Sequence, residues 1–109
     1  MVIRQIINLL ELEILVKGKD KEVTDGYTAD LLSDVIANAK ENCVWITIQR
    51  HLNILAVAQL KKISAIIIAG KSFPDEKLIE KAREEEIYLL KTSKSSFEIS
   101  GQLYEILKK

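Results

Sequence analysis

Cysteine, proline, glycine and aromatic residues are all scarce in this sequence of 109 residues. It contains one cysteine, one proline and four glycines, and aromatic side chains make up 6% of it. The lone Cys43 excludes an internal disulfide, and together with the single histidine, His51, it is too small a ligand set for a structural zinc site. We therefore expect neither a metal ion nor any other cofactor.

Neither sign of charge is in excess. The 16 basic and 16 acidic side chains cancel to a net charge of zero. Nucleic acids and membrane surfaces are bound through clustered lysine and arginine side chains, so neither is expected as a partner. Zero net charge also weakens the repulsion between copies of the chain, which favours self-association.

Long apolar runs are absent as well. Asn8, Glu11 and Glu13 interrupt the apolar N-terminal segment, and no later run is longer than Ala65–Ala69. These segments are too short for a signal peptide or a membrane span, which predicts a cytoplasmic protein. The 48% apolar content is sufficient for one hydrophobic core in a chain of this length. We expect a single domain over residues 1–109.

The spacing of apolar residues divides the chain into helices and strands. Residues 1–23 carry a helical pattern and then an alternating one, and the following Asp25-Gly26 is typical of a turn. After residue 30 the order is helix, strand, helix, strand, helix, strand, helix, with strands at 43–48, 63–69 and 87–90. This alternation predicts an α/β fold, a three-layer α/β/α sandwich around a mostly parallel sheet. The strand order before residue 30 stays open.

Local signals mark where several helices begin. Thr28 or Asp30 can cap the first helix after residue 30, and Pro74 stands where a first helical turn begins. Ser95 and Glu98 match a capping box. The segment 52–60 is apolar almost all round, which predicts a buried helix.

The loops after the strands are the expected place for a ligand, because open parallel sheets bind ligands at the carboxyl ends of their strands. These loops are 49–51, 70–72 and 91–93, with residues 25–28 as a fourth wall. Arg50 and His51 precede a buried helix, whose free N–H groups favour an anion, and the guanidinium adds a donor fork. In the alternative interpretation, Arg50 pairs with Asp30 or Asp34 and His51 caps the helix. Both interpretations are open at this stage.

Acidic side chains form a second polar concentration. Asp30 and Asp34 are four residues apart, would share one face of a helix, and are compatible with a magnesium site. Asp30 and Thr28 are equally ordinary as capping residues. The segment Gly70-Lys71-Ser72 is not a phosphate-binding loop of the P-loop type, since alanine occupies position 65, where that motif requires glycine.

Three stretches carry a resemblance to a known family: Gly26–Val35, Trp45–Ala58 and Ile66–Lys71. In them, and in the order of segments from Thr24 to Leu107, the chain resembles the DRTGG domain. This module occurs in front of HPr kinase/phosphorylase catalytic domains, beside nucleotide-binding CBS domains, and as short stand-alone proteins, which this chain resembles most. The resemblance implies a fold similar to the N-terminal domain of HPr kinase/phosphorylase and a regulatory or assembly role without catalysis.

The chain departs from the motif that names the family, an Asp-Arg pair after the middle strand and Thr-Gly-Gly after the next. Gln49-Arg50 and Ala69-Gly70-Lys71 stand at these places. Arg50 and Gly70 are retained, whereas the acidic residue and one glycine are lost. The resemblance therefore implies anion binding by Arg50, aided by Lys71, and does not support a metal or proton-transfer role that needs the acid.

The leading hypothesis is a non-catalytic regulatory or assembly module that binds a nucleotide-like or phosphorylated ligand, or a partner protein such as an enzyme. The candidate ligand-binding residues are Asp25, Tyr27, Thr28, Asp30, Asp34, Thr47, Gln49, Arg50, His51, Gly70 and Lys71. No residue is assigned to catalysis or to a metal. The alternative is a small enzyme acting on a phosphorylated metabolite, with His51 as acid or base and Arg50 holding the phosphate.

Self-association is expected in either case. The predicted sheet has an edge strand without a proline or an inward lysine to guard it. The aliphatic residues of Ile3–Val16 would be left uncovered by a core of about three strands, and a two-fold interface would bury them. The sequence therefore predicts a homodimer or a larger oligomer.

Overall fold

Five helices and five strands alternate along residues 1–108, which are the residues described by the computed structural model. The helices are α1 (Ile3–Leu10), α2 (Leu32–Asn38), α3 (Asn53–Leu60), α4 (Glu76–Glu84) and α5 (Ser96–Leu107). The strands are β1 (Glu13–Val16), β2 (Asp25–Thr28), β3 (Cys43–Thr47), β4 (Ala65–Ile68) and β5 (Tyr88–Lys91). The predicted α/β fold is confirmed; Lys109, the last residue of the predicted domain, lies outside the described residues.

All five strands form one sheet in the order β1-β5-β4-β3-β2. Strands β2 to β5 are parallel, and β1 runs antiparallel to β5 at one edge of the sheet. The strand order that the sequence left open is thereby resolved. Each parallel connection passes through a helix, as such crossovers require.

Helices cover both faces of the sheet. Alternate strand residues point to opposite faces, so Ile66 and Ile68 of β4 pack with Trp45 against α2, α3 and α4. Ile67 packs on the other face, in a cluster formed with α1 and α5. The resulting three layers confirm the predicted sandwich. Among the helices of residues 1–108, none is long and apolar enough to span a bilayer.

The prediction of a turn at Asp25-Gly26 is wrong, because both residues lie in β2. Asp25 is in register with Cys43 of the parallel strand β3. A Cβ atom on residue 26 would stand 2.8 Å from Cδ2 of Leu103 in α5. Glycine at this position therefore serves the close packing of α5 on the sheet rather than a change of chain direction.

The N-terminal helix is part of the core. This is contrary to the expectation that its aliphatic side chains are buried only by contact with a second copy of the chain. Ile3 and Ile6 are fully buried, and Ile7 and Leu10 are nearly so. They pack with Ile99 and Leu103 of α5 in one cluster. The five-stranded sheet and its α1–α5 layer cover these residues within one chain, so their burial does not require self-association.

Three of the local signals for helices are corrected by the structure. Helix α2 starts after Leu31, and no side chain caps it. Helix α4 begins at Glu76, two residues after Pro74, so Pro74 does not lie in its first turn. Helix α3 is buried along one side only, since Leu60 is exposed. The capping box of Ser95 and Glu98 is confirmed at the start of α5.

Candidate functional site

Four loops meet at the carboxyl ends of the parallel strands. Backbone hydrogen bonds join them: Ala69 N–H donates to Thr47 O at 3.0 Å, and Gly70 N–H donates to Lys94 O at 2.8 Å. Ser72 Oγ donates to Ile48 O at 2.7 Å, which ties the loop after β4 to the loop after β3. This edge of the sheet is the place that topology favours for a ligand.

Asp30, Thr47 and Gln49, three of the predicted ligand-binding residues, contact one another at this edge. The Asp30 carboxylate accepts from Thr47 Oγ1 at 2.8 Å and from Ile48 N–H at 2.9 Å. Gln49 donates through its side-chain amide to Asp30 O at 2.9 Å and through its backbone N–H to Thr47 Oγ1 at 3.1 Å. An aspartate at position 49 could not donate the first of these bonds. The three residues therefore shape the loop that carries Arg50 and His51.

Arg50 and His51 share one carboxylate, that of Asp75. Arg50 Nε and Nη2 each lie 3.1 Å from Asp75 Oδ1, and His51 Nδ1 lies 2.5 Å from Asp75 Oδ2. The hydrogen bond with His51, followed by the charges of His51 and Arg50, lowers the pKa of Asp75. The backbone N–H of Asp75 also donates to Arg50 O at 2.9 Å. Both basic side chains remain largely exposed.

The alternative sequence interpretation named the wrong partners for these two residues. Arg50 pairs with Asp75 rather than with Asp30 or Asp34, and the side chain of His51 binds the same carboxylate instead of capping α3. Asp30 is engaged by Thr47 and Ile48, and Asp34 lies in α2. His51 is exposed rather than enclosed in a deep cleft.

Gly70 and Lys71 lie on the loop after β4, at the same edge. Gly70 has a φ of 71°, a backbone conformation that glycine adopts without steric cost. Lys71 follows it and is exposed. Because Ser72 is bonded to Ile48, Lys71 adds a third basic side chain near the loop of Arg50 and His51.

Asp25, Tyr27, Thr28 and Asp34 contact partners other than the loop of Arg50 and His51, although Thr28 is the last residue of β2 and so lies at the carboxyl ends of the strands. Asp25 begins β2, so it lies at the amino ends of the strands, where its carboxylate accepts from Gly26 N–H at 2.9 Å. Tyr27 donates its hydroxyl hydrogen to Asp34 Oδ1 at 2.6 Å, a bond that raises the pKa of Tyr27 and lowers that of Asp34. The Thr28 hydroxyl lies 2.7 Å from that of Ser100 in α5. These contacts hold β2 between its two helical layers.

The acidic residues also fail as a magnesium site. Asp30 precedes α2, which begins at Leu32, so Asp30 and Asp34 do not share a helical face. Across residues 1–108, no three His, Cys, Asp or Glu side chains form a group that could hold a metal ion.

A groove of about 470 Å³ lies beside Lys91, at the end of β5. Its walls include Phe73, Ser93 and Lys94 together with the acidic residues Glu11 and Glu13. Lys91 Nζ donates to Gly70 O at 2.6 Å and to Thr92 O at 2.7 Å, and partial burial lowers the pKa of this ammonium group. Sequence reasoning pointed to loop 91–93 but missed Phe73, Lys94 and Asp75. The position of loop 70–75 after a buried strand was the available signal for two of them.

The family model of the DRTGG domain matches residues 5–106. The chain belongs to the DRTGG domain family. The match begins earlier than the predicted resemblance at Thr24 and takes in most of α1 and all of β1. A sequence comparison with curated proteins finds no match.

A solved structure that includes a DRTGG domain has a similar fold. It is the crystal structure of the CBS and DRTGG domains of the regulatory region of Clostridium perfringens pyrophosphatase, complexed with its activator, diadenosine tetraphosphate. The TM-score is 0.74 at 21% sequence identity, and the match covers 92% of this chain and 44% of that one. The DRTGG chain described here thus spans less than half of the pyrophosphatase structure, and the likeness concerns the fold.

Proposed function

We propose that this DRTGG chain is a single-domain, non-catalytic regulatory module of the cytoplasm that binds a phosphorylated, nucleotide-like ligand and acts as a homo-oligomer. The observation that carries the ligand half of the proposal is the contact of Arg50 and His51 with one Asp75 carboxylate at the carboxyl edge of the sheet. The pyrophosphatase region of similar fold is regulatory and is complexed with a nucleotide activator, which supports the same class of ligand here.

A phosphate group suits this arrangement because it can replace the Asp75 carboxylate as the acceptor. Arg50 presents a planar donor fork, which matches phosphate oxygens in two places. His51 and Lys71 lie on the same edge and add donors from two loops. The contact of Asp75 keeps both side chains of residues 50 and 51 in position before a ligand arrives, so less conformational entropy is lost on binding.

Thermal unfolding with a panel of anions tests this proposal. The panel contains inorganic phosphate, AMP, ADP, ATP and dinucleoside polyphosphates. A ligand at 100 times its dissociation constant is expected to stabilise the fold by about 2.7 kcal/mol. A melting temperature that none of these compounds raises would contradict the ligand half of the proposal.

Arg50→Ala locates the site. The variant is expected to remove the ligand-induced shift while changing the unliganded protein little, because exposed ion pairs contribute little to stability. Arg4→Ala is the matched control, since Arg4 also forms an exposed ion pair, in this case with Asp20. An unchanged shift in Arg50→Ala would exclude this edge as the site.

A second candidate function is the small enzyme acting on a phosphorylated metabolite. The contact of His51 Nδ1 with Asp75 favours it, because a carboxylate that orients a histidine ring is typical of general bases. Phosphate release from the same nucleotide panel, lost in His51→Ala, would support this function. Ligand binding without turnover would favour the regulatory module.

A further inference from the structure

The two edges of the sheet differ in how they are protected. At one edge β1 is irregular between Ile14 and Val16, and α4 packs against it. At the other edge β2 is regular over four residues, and Asp25 is its one charged residue. Edge strands are usually blunted by bulges, charges or proline. β2 has the weaker protection of the two.

The backbone of β2 offers hydrogen-bonding groups to a further strand. Ala29 N–H, directly after β2, donates to Ile46 O of β3 at 3.2 Å. Successive residues of a strand direct their backbone groups to alternate sides, so Tyr27 also faces β3, whereas Gly26 and Thr28 face away from it. The N–H of Gly26 is accordingly bonded to the neighbouring Asp25 carboxylate rather than to a strand.

An exposed aromatic stripe on α5 runs beside this edge. Phe97, Ser100 and Tyr104 are three, four and seven residues apart, so they share one face of the helix. Ser100 fixes the direction of this face, since its hydroxyl contacts Thr28 of β2. Phe97 and Tyr104 are 88% and 69% exposed and are the two most exposed aromatic side chains of the chain. Aromatic side chains left in solvent beside an open edge are typical of a contact surface.

We propose that a second copy of this chain pairs its β2 antiparallel to β2 about a two-fold axis perpendicular to the sheet. In this register Gly26 lies opposite Thr28 of the second copy, so the outward backbone groups of both strands bond to each other. Opposite residues of antiparallel strands share a face, and Gly26 and Thr28 both face α5. The two α5 helices therefore lie side by side, and the stripes of Phe97 and Tyr104 meet.

Shape and charge both suit a second copy as the occupant of this edge. A groove of about 460 Å³ between β2 and α5, lined by Gly26, Ser100, Leu103 and Tyr104 among others, receives aromatic side chains of the facing helix. The register sets Asp25 opposite Ala29 of the second copy, so no two carboxylates face each other. This pairing specifies the interface of the homo-oligomer proposed above and is independent of the anion site.

Light scattering of the whole chain across the micromolar range tests the interface. The native protein is expected to show twice the 12.4 kDa mass of one chain. Tyr104→Glu is expected to raise the dimer dissociation constant by at least about tenfold, because it places charges at the contact of the two stripes. Leu60→Glu is the matched control and is expected to leave the mass unchanged, since Leu60 is 66% exposed and its helix, α3, packs on the face of the sheet opposite to α5.

A cysteine at residue 27 tests the register directly. Tyr27 lies opposite itself across the axis as a non-hydrogen-bonded pair with Cα atoms about 4.5 Å apart, within the range of a disulfide. Oxidised Tyr27→Cys is expected to form a covalent dimer, whereas Ile36→Cys on exposed α2 is not; the native Cys43 is buried and does not interfere.

Two results would overturn the interface. One is a mass of one chain at all concentrations, which would show that β2 does not pair with a second copy of this chain. The other is a dimer that resists Tyr104→Glu and gives no Tyr27→Cys disulfide, which would place the contact elsewhere. Either result leaves the ligand-induced thermal shift, and with it the anion site, unaffected.

Discussion

The Asp75 carboxylate links the two basic side chains of the candidate site, and its ionisation therefore controls how they are held. Its pKa is lowered in the folded protein by the hydrogen bond with His51 and by the charges of His51 and Arg50. A carboxyl group with a lowered pKa stabilises the fold at pH values above its unfolded pKa, about 3.9 for aspartate, and loses this effect as the pH falls through the folded pKa.

The difference in melting temperature between the native chain and Asp75→Asn is therefore expected to depend on pH. This difference is expected to be largest near neutral pH and to decrease toward zero as the pH falls below about 4. Thermal unfolding followed by circular dichroism across this range measures it. A difference that is the same at neutral and strongly acidic pH would show that the ionised carboxylate contributes nothing to the fold.

Gly18 lies in a polar segment of the sequence, yet the structure leaves no room for a side chain at this position. A Cβ atom at this residue would lie 2.3 Å from Tyr88 N and 2.6 Å from Ile87 C, both of them backbone atoms. We expect Gly18→Ala to destabilise the fold by about 3 kcal/mol, because backbone atoms cannot rotate away from the added methyl group. Gly101→Ala is the control, since nothing lies within 4 Å of that position in α5, and it is expected to stabilise the fold by about 0.5 to 1 kcal/mol. Urea unfolding of both variants measures the two effects.

The position of Arg50 and His51 was predictable from the sequence, whereas their partner was not. A buried apolar run marks β3, and the residues after it must lie at the carboxyl edge. Which carboxylate they contact depends on how far the side chains of neighbouring loops reach. Asp75 is 25 residues from Arg50, and in the sequence it is only an acidic residue that follows Pro74. The same limit applies to Phe73 and Lys94, whose shared groove exists only after the loops are placed.

At the scale of elements, the helices after residue 30 and the strands between them were predicted because their apolar periodicities are long and regular. β2 was missed since its four residues include Asp25-Gly26, whose turn propensity is overridden by pairing with β3. Strand β1 was predicted, but its antiparallel direction was not, because the alternation of its residues carries no information about the strand beside it.

The ends of the helices show how a chain with only four glycines makes sharp turns. Glu11, Asn42, Lys62 and Glu86 all have positive φ, between 53° and 67°. Glu11, Lys62 and Glu86 follow α1, α3 and α4 directly or within two residues, where glycine is the usual occupant. Each such residue carries a steric cost of about 1 to 2 kcal/mol relative to glycine.

Lys62→Gly is therefore expected to stabilise the fold by about 1 kcal/mol, less the conformational entropy that glycine adds to the unfolded chain. Lys61→Gly provides the matched control, because Lys61 has a φ of −90° and gains nothing from glycine. We expect its melting temperature to fall while that of Lys62→Gly rises. Equal decreases in both variants would mean that the left-handed conformation of Lys62 carries no steric cost.

At the scale of the whole molecule, the two faces of the sheet have separate cores, and the N-terminal helix completes one of them. Ile6 of α1 is fully buried, whereas Leu9 of the same helix is 59% exposed. Ile6→Ala is expected to cost about 2 to 5 kcal/mol of stability, and Leu9→Ala is expected to change stability by less than about 0.5 kcal/mol. Chemical denaturation compares the two. A small effect of Ile6→Ala would mean that α1 is dispensable to the domain.

The pairing of β1 with β5 also has a consequence for synthesis. Within this domain, translation delivers α1 and β1 before the other elements, yet the neighbour of β1 in the sheet is the last of the five strands to be made. A nascent chain that stops before Tyr88 has no partner for β1 and no α5 to cover α1, so its N-terminal aliphatic residues stay open to chaperones and proteases. Contacts that join distant parts of a chain also slow folding. We therefore expect this small domain to reach its native state only after β5 has left the ribosome, as one late step rather than progressively from the N-terminus.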